Sequence, residues 1–364
     1  MGLLYGILGL VAMIIIHEFG HFIAARMLGV EVIRFSIGFG PVLLKYKPKV
    51  TEYALSLIPL GGYVKMKGEE IDERDEADTE GAFFAQPVWK RMIIVFAGPF
   101  FNIASAIIFF AIAYSIGVPS LAPQIGKIQP NSAAYIAGIQ PNDTIVAING
   151  RKVKTWEEMS KIIKSNPNKT LTLKIKRQNS IITIKAKPKG EERTDILGYK
   201  KYVGILGILP SGKTVQLKYN PVKGLVVGVQ KTVYITKVTL IGIVRLIERA
   251  IPSNSVGGPI MIVDIASKAA QSGIAAFLMF AAIISINLGI LNLLPIPILD
   301  GGHLMFFTIE AIRRKPVSEK VQENFQKFGM ALLLALMLFA FMNDFKRYGV
   351  TKYIHNQVEE HIKK

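Results

Sequence analysis

The chain has 364 residues, 51% hydrophobic and only 19% charged, and its mean hydropathy of +0.37 excludes an ordinary water-soluble domain as the whole protein. Forty-four lysines and arginines stand against 26 aspartates and glutamates, a formal net charge of +18. Much of the excess lies between Lys127 and Lys218, where Tyr135, Trp156, Tyr199 and Tyr202 are too few to make a base-stacking surface, so membrane lipid headgroups and no nucleic acid are the expected counter-charge. No cysteine is present, which excludes disulfides and thiolate ligands and leaves histidine and carboxylate for any metal.

The first apolar run contains His17-Glu18-Phe19-Gly20-His21. Residues four apart share a helix face, so His17 and His21 can present imidazoles to one Zn²⁺, while Glu18, turned by about 100°, reaches a metal-bound water as general base. Ionisable groups among about 20 lipid-compatible residues are costly and read as functional. A chance occurrence of so short a motif is the alternative. Only Met1 and Gly2 precede the run, without a basic segment or cleavage site, so the first span is expected to persist.

Residues 34–86 are too polar to span. Within them, 52–66 reads as strands turned at Gly61 and Gly62, a β-hairpin against the membrane whose Leu55 and Leu57 stretch offers an edge to a peptide. Gly38, Gly40 and Pro41 mark another tight turn. The acidic run 69–80 reads as a solvated loop without catalytic role. A second apolar run covers 92–118.

From about 123 to 210 the pattern changes to short strands, turns and one amphipathic helix, a separate water-soluble domain inserted after the second span. Ser132-Ala133-Ala134, Ala137-Gly138-Ile139, and then Asp143, Ile145, Ile148-Asn149-Gly150 and Val153 resemble a PDZ domain of the bacterial type, followed by a helix at 156–164 and strands at 170–177 and 181–187. Asn142 stands where that pattern has glycine; asparagine tolerates positive φ, so the turn should survive. If the domain is permuted as bacterial ones are, Tyr202, Val203, Gly204 and Ile205 supply its carboxylate-binding loop, with a plain strand as the equal alternative.

Residues 221–253 are apolar but interrupted by Lys223, Lys231, Lys237, Arg245, Glu248 and Arg249, which suits a helix on the membrane surface better than another span. Apolar runs at 274–294 and 328–342 complete four spans, the last short for a bilayer. The third ends in Asn287, Asn292, Pro295, Pro297, Asp300, Gly301, Gly302 and His303. Two prolines one residue apart break a helix and free backbone groups at membrane depth, where only protein or a polar cavity can satisfy them. Two imidazoles leave a catalytic zinc one protein ligand short. Asp300 is the expected third, with His303 as its rival.

Taken with the inserted domain, His-Glu-Phe-Gly-His in the first span and Asn287 to Gly302 at the third closely resemble the site-2 proteases, the bacterial intramembrane zinc metalloproteases of the RseP type that cleave anti-sigma factors. The resemblance implies an α-helical polytopic membrane protein with four transmembrane helices, a membrane-associated β-hairpin and an inserted extracytoplasmic PDZ domain. The divisions are 1–118 (two spans and hairpin), 119–215 (PDZ), 216–270 (surface helix and connector), 271–345 (two spans) and 346–364 (tail). It further implies zinc held by His17, His21 and Asp300, Glu18 as acid and base, and Asn287 and Asn292 on the substrate backbone or supporting the site. Substrates would be single-span proteins of the anti-sigma type or leftover signal peptides, cut after an upstream site-1 protease. Lys90, Arg91, Arg313, Arg314 and Lys315 favour the cytoplasm for the short connections, which puts the PDZ domain and both termini outside the bacterial inner membrane and the active site towards its cytoplasmic side. Two other readings use the same residues: a PDZ-bearing scaffold, or a metal transporter with a non-proteolytic zinc site.

Overall fold

The computed structural model describes residues 2–69, 79–195, 197–252 and 257–348. Helix α1 (Gly2–Met27) leads into β1 (Val32–Tyr46) and β2 (Glu52–Met66), and α2 (Val88–Ile116) follows. Then come β3 (Val118–Leu121), β4 (Ile125–Ile128), α3 (Ala133–Ile136), β5 (Thr144–Ile148), β6 (Arg151–Lys152), α4 (Trp156–Lys164), β7 (Leu171–Arg177) and β8 (Ser180–Ala186). After β9 (Lys189–Thr194), β10 (Lys200–Ile205), β11 (Ile208–Pro210) and β12 (Thr214–Leu217) the chain is helical: α5 (Pro221–Ile247), α6 (Pro259–Gln271), α7 (Ile274–Asn292), α8 (Asp300–Arg313) and α9 (Glu319–Arg347). The chain divides into two compact units, the first comprising Met1–Ala113, Pro221–Leu240 and Pro252–Lys364, the second Tyr114–Asn220 and Ile241–Ile251.

Among the described residues, five helices are long and apolar enough to cross a membrane: Gly6–Met27 of α1, and α2, α5, α7 and α9. Lengths of 19 to 29 residues cover the roughly 30 Å of hydrocarbon that an integral membrane protein must span. The sequence reading counted four and laid 221–253 on the surface. In α5 the lysines are spaced so that an 18-residue window holds no more than two charges, so the helix meets the length and composition of a span. Its small residues Gly224, Gly228 and Thr232 are buried, and a side chain at Gly228 would meet the Ile107 carbonyl of α2 at 2.6 Å. The last apolar run belongs to a helix of 29 residues, because a polar first third, with Lys327 and Glu323 paired at 2.7 Å, continues the same helix. Buried Asp344 near the end of α9 caps α6, accepting from Gly258 N (2.9 Å) and Ile260 N (2.9 Å); a carboxylate there satisfies amides that a helix start leaves orphaned. Of the tail, Lys346 and Arg347 complete α9, while 349–364 lie outside the described residues, as do 70–78 of the acidic run.

The expected hairpin within 52–66 forms differently. Ile37 of β1 partners both Leu55 and Gly62 of β2, and Phe35 both Tyr53 and Val64. The two halves of β2 therefore flank the first half of β1 instead of pairing with each other. Gly62 allows this, since a Cβ there would stand 2.8 Å from Ser36 O and 3.4 Å from Glu18 Cγ. Beneath this sheet Phe22, Ala25, Val32, Phe35, Val64, Met66, Ile94 and Phe307 form one apolar core.

The second unit contains a four-stranded sheet in the order β6-β5-β7-β8. Ile125, Ile145, Ile148, Met159, Ile163, Leu171, Leu173 and Ile175 fill its core. Helix α4 forms over the expected 156–164, its start fixed by Thr155 Oγ1, which accepts from Glu158 N (3.2 Å); threonine at this position satisfies an orphan amide. The strands expected at 170–177 and 181–187 are β7 and β8. Asn142 adopts φ 70°, the left-handed turn anticipated for it. Residues 202–205, for which a carboxylate-binding loop and a plain strand were equal alternatives, lie in β10. Tyr202, Val203, Gly204 and Ile205 pair in register with Glu192, Glu191, Gly190 and Lys189, because an unbroken facing strand gives every backbone group a partner.

Candidate metal centre

Helix α1 carries both histidines on one face. Their rings meet edge to face with centroids 4.8 Å apart, and the two Nε2 atoms are 3.2 Å apart. Each ring is held from behind by α2. His21 Nδ1 donates to Ile94 O (2.9 Å), which leaves its Nε2 lone pair facing inward. The Asn102 amide nitrogen stands 3.1 Å from His17 Nδ1, and Asn102 Oδ1 is buried without a partner. A half-turn of that amide presents the carbonyl to the ring N–H, satisfies both groups, and bares His17 Nε2 in the same way. Above Asn102, Ser105 Oγ and Ser285 Oγ each donate to its backbone carbonyl (2.9 Å), tying α7 to α2 at this level. Helix α2 approaches so closely because residue 98 is glycine: a Cβ there would stand 2.5 Å from His21 Cε1 and 2.9 Å from His17 Cε1.

The turn between α7 and α8 delivers the acid. Asp300 is the first residue of α8, its Oδ2 3.0 Å from His17 Nε2 and its Oδ1 3.5 Å from His21 Nε2. Among the described residues these three form the one cluster of His and carboxylate donors able to hold a metal, one donor atom of each within 4.8 Å of the others. Asp300 Oδ2 is buried and accepts no hydrogen bond. Two imidazole nitrogens and a carboxylate thus converge at one point, an arrangement that a bound cation satisfies. Ligands of a tetrahedral zinc at about 2.0–2.1 Å stand about 3.3 Å from each other; here the two imidazole nitrogens are 3.2 Å apart, with Asp300 Oδ2 3.0 Å from one and Oδ1 3.5 Å from the other. The donor set fits zinc.

These groups open on a cavity of about 1190 Å³ lined by His17, Glu18, His21, Asn292, Asp300 and His303, together with residues 63–66 of β2. Glu18 accepts a backbone hydrogen bond from Val64. Asn292 Nδ2 is 3.2 Å from His17 Nε2. His303, the rival ligand, sits one turn along α8 beside Phe307 and outside the donor cluster. Asn287 is elsewhere: its Oδ1 accepts from Thr239 Oγ1 of α5 (2.9 Å), an interhelical bond away from the cavity. Leu55, Leu57 and Gly61 do not line it either. The β2 segment that does is 63–66, because the first half of β1 separates it from 52–55.

Reading the sequence missed Asn102, Ser105, Ser285 and Gly98. Asn102 was visible as a polar residue inside an apolar run, a signal that it faces protein and not lipid; nothing in the spacing names His17 as its target.

In the second unit, Val203, Gly204 and Ile205 line a groove of about 570 Å³ with Trp156, Met159 and Ile163 of α4. Tyr202 lies outside it and accepts from Asn168 Nδ2 (2.9 Å).

A His₂-carboxylate centre beside a glutamate, its histidines on a helix of membrane-spanning length, defines a membrane metallohydrolase site. The model of Peptidase family M50 matches residues 5–336, and the chain belongs to that family of zinc metalloproteases. "Putative zinc metalloprotease Cj1068" of Campylobacter jejuni is 42% identical over 338 residues, covering 92% of this chain and 90% of that one. Proteins of like designation from Agrobacterium fabrum (36% identical, 93% of this chain and 94% of that one) and Brucella suis (37%, 92% of each) are similar over the same extent. A solved aminopeptidase N family protein from Idiomarina loihiensis matches 30% of this chain and 16% of its own, 17% identical with a TM-score of 0.17, too little to bear on the fold.

Proposed function

We propose that this metalloprotease is an intramembrane endopeptidase of the site-2 type, cutting a peptide bond within the transmembrane segment of single-span proteins. The observation that carries the reading is the convergence of His17, His21 and Asp300 beside Glu18 in one cavity between helices of spanning length. Those three residues hold the zinc. When bound, zinc supplies a Lewis acid that polarises a peptide carbonyl and lowers the pKa of water to about 7. Glu18 takes the proton from the attacking water and returns it to the leaving nitrogen. Asn292 offers its amide to the backbone of the unwound substrate. Residues 63–66 of β2, within the 53–66 stretch expected to capture substrate, give the extended segment beside which that peptide lies by β-addition.

The second unit acts as a PDZ domain. Its groove between α4 and residues 203–208 receives an apolar chain end exposed by an earlier extracytoplasmic cut, so an upstream site-1 protease is the partner. Anti-sigma factors and leftover signal peptides are the substrate class. The protein sits in the bacterial inner membrane with this domain outside and the zinc site towards the cytoplasm. The test incubates purified protein with a single-span model substrate, with and without chelator, beside Glu18→Gln. Cleavage that chelator abolishes, and a variant that keeps zinc but does not cut, support the proposal. Zinc retention by wild-type protein with no cleavage of any single-span substrate overturns it in favour of a scaffold or transporter.

A further inference from the structure

Asp300 hangs from a turn whose geometry is unusual in two respects. Ile298, two residues before it, has φ +79°, a left-handed conformation in which a β-branched side chain is strained and which persists only where the surroundings impose it. One neighbour packs against the residue beside it. Gly329 of α9 lies against Pro297 so closely that a Cβ at 329 would collide with Pro297 Cβ and stand 2.7 Å from its carbonyl oxygen. No flexible side chain end intervenes; the wall is backbone and ring. Behind the turn, residues 301 and 302 are glycines tucked under Leu293, Leu294 and Ile296, where a Cβ at 302 would meet Ile296 O at 2.6 Å. The segment carrying the carboxylate is thus clamped between the start of α8 and the face of α9. The same face of α9, one turn earlier, lines the metal cavity with Gln322, Glu323 and Gln326.

We propose that Gly329 is a positioning residue for Asp300: α9 presses its backbone onto Pro297, holds Ile298 left-handed, and so fixes the carboxylate at hydrogen-bond distance from both histidines. This rests on the reading of Asp300 as a zinc ligand. A helix that both walls the cavity and sets the acid couples the two: moving α9 aside to widen the cavity also releases the ligand.

The experiment uses the full-length protein in detergent, loaded with zinc alone or cobalt alone. Zinc retention is followed against rising chelator and the cobalt site by its visible absorption, with thermal unfolding as the control for fold. Gly329→Ala should give up zinc at about tenfold lower chelator strength, the size of effect seen when the support of a metal ligand is disturbed, and should shift the cobalt bands. Met330→Ala, on the exposed face next door, should match the wild type. Should Gly329→Ala fail to fold, Pro297→Gly alone, which removes the wall from the other side, must also weaken retention. Wild-type retention and cobalt bands in Gly329→Ala, or in Pro297→Gly where that is the variant available, overturn the proposal. Asp300→Ala separates the two levels: if it loses zinc while the Gly329 and Pro297 variants do not, only this inference fails, and if it keeps zinc, the ligand assignment fails with it.

Discussion

The two units are stabilised on opposite terms. The second is built around a dry aliphatic core in which Ile145, Leu171, Leu173 and Ile175 are almost wholly buried. Its one deeply buried charge among the described residues, Asp143, is matched on both oxygens by Arg177 (2.8 Å each) and on Oδ2 by Gln140 N (2.8 Å). The first unit buries His17, His21, Asn102, Ser105 and Ser285 and leaves acceptors facing acceptors at their centre. Burying polar groups without partners costs free energy, and among the described residues the unpartnered buried side-chain atoms, Asn102 Oδ1, Thr232 Oγ1 and Asp300 Oδ2, all lie in the first unit, two of them at the histidines. The difference is between a region whose polar groups are complete in themselves and one completed by a metal.

Breaking the metal side gives the largest effects. Asp300→Ala removes a ligand and should lower zinc retention by more than about 100-fold, beyond the loss typical for an outer hydrogen-bond partner, with cleavage at background; metal analysis after dialysis checks the first part. Glu18→Gln keeps every donor atom, so zinc content should be unchanged while turnover falls by about 10²- to 10⁴-fold, the contribution of a general acid and base. Breaking the self-sufficient side acts on folding instead. Arg177→Ala strands the Asp143 carboxylate, 1% exposed, and should destabilise the second unit by about 3 kcal/mol, read as a lowered unfolding midpoint with zinc content intact. Asn102→Ala sharpens the comparison. It should weaken zinc binding by about 10-fold, at the low end for an outer partner of a histidine ligand, because His17 keeps its place on α1 but loses the acceptor that sets its tautomer.

Legibility in the sequence followed the reach of each interaction. His17, Glu18 and His21 could be read as a unit because a helix fixes the relation between residues one and four apart. Asp300 was found by chemical deficit, two imidazoles needing a third donor, in a stretch where Pro295 and Pro297 had to end a helix. Helix α4 was legible in its amphipathic pattern within the PDZ-like stretch, and the turn at Asn142 in the tolerance of asparagine for positive φ. What escaped depended on contacts remote in sequence. The threading of β1 between the two halves of β2 is set by close approaches at Gly62, and neither alternation nor a glycine pair distinguishes that from a plain hairpin. Asn102 meets His17 across 85 positions. Helix α5 was read as a surface helix because its lysines interrupt the pattern of apolar residues; they are sparse enough that the helix also meets the length and composition of a span.

Asn287 and Asn292 test how far a motif can be trusted as a block. Both belong to the same stretch of α7 and read alike, but five residues turn a helix by about 500°, so the two side chains leave it on different faces. Asn292 stands 3.2 Å from His17 Nε2, whereas Asn287 accepts from Thr239 of α5. Asn287→Ala should therefore cost about 0.6 kcal/mol, the usual worth of a hydrogen bond between helices in a membrane, and leave zinc retention and the KM for a single-span substrate at wild-type values. Asn292→Ala should instead raise KM with zinc retained. Thermal unfolding and steady-state kinetics on the two variants separate the roles, and a rise in KM for Asn287→Ala that matches Asn292→Ala would return both asparagines to the substrate.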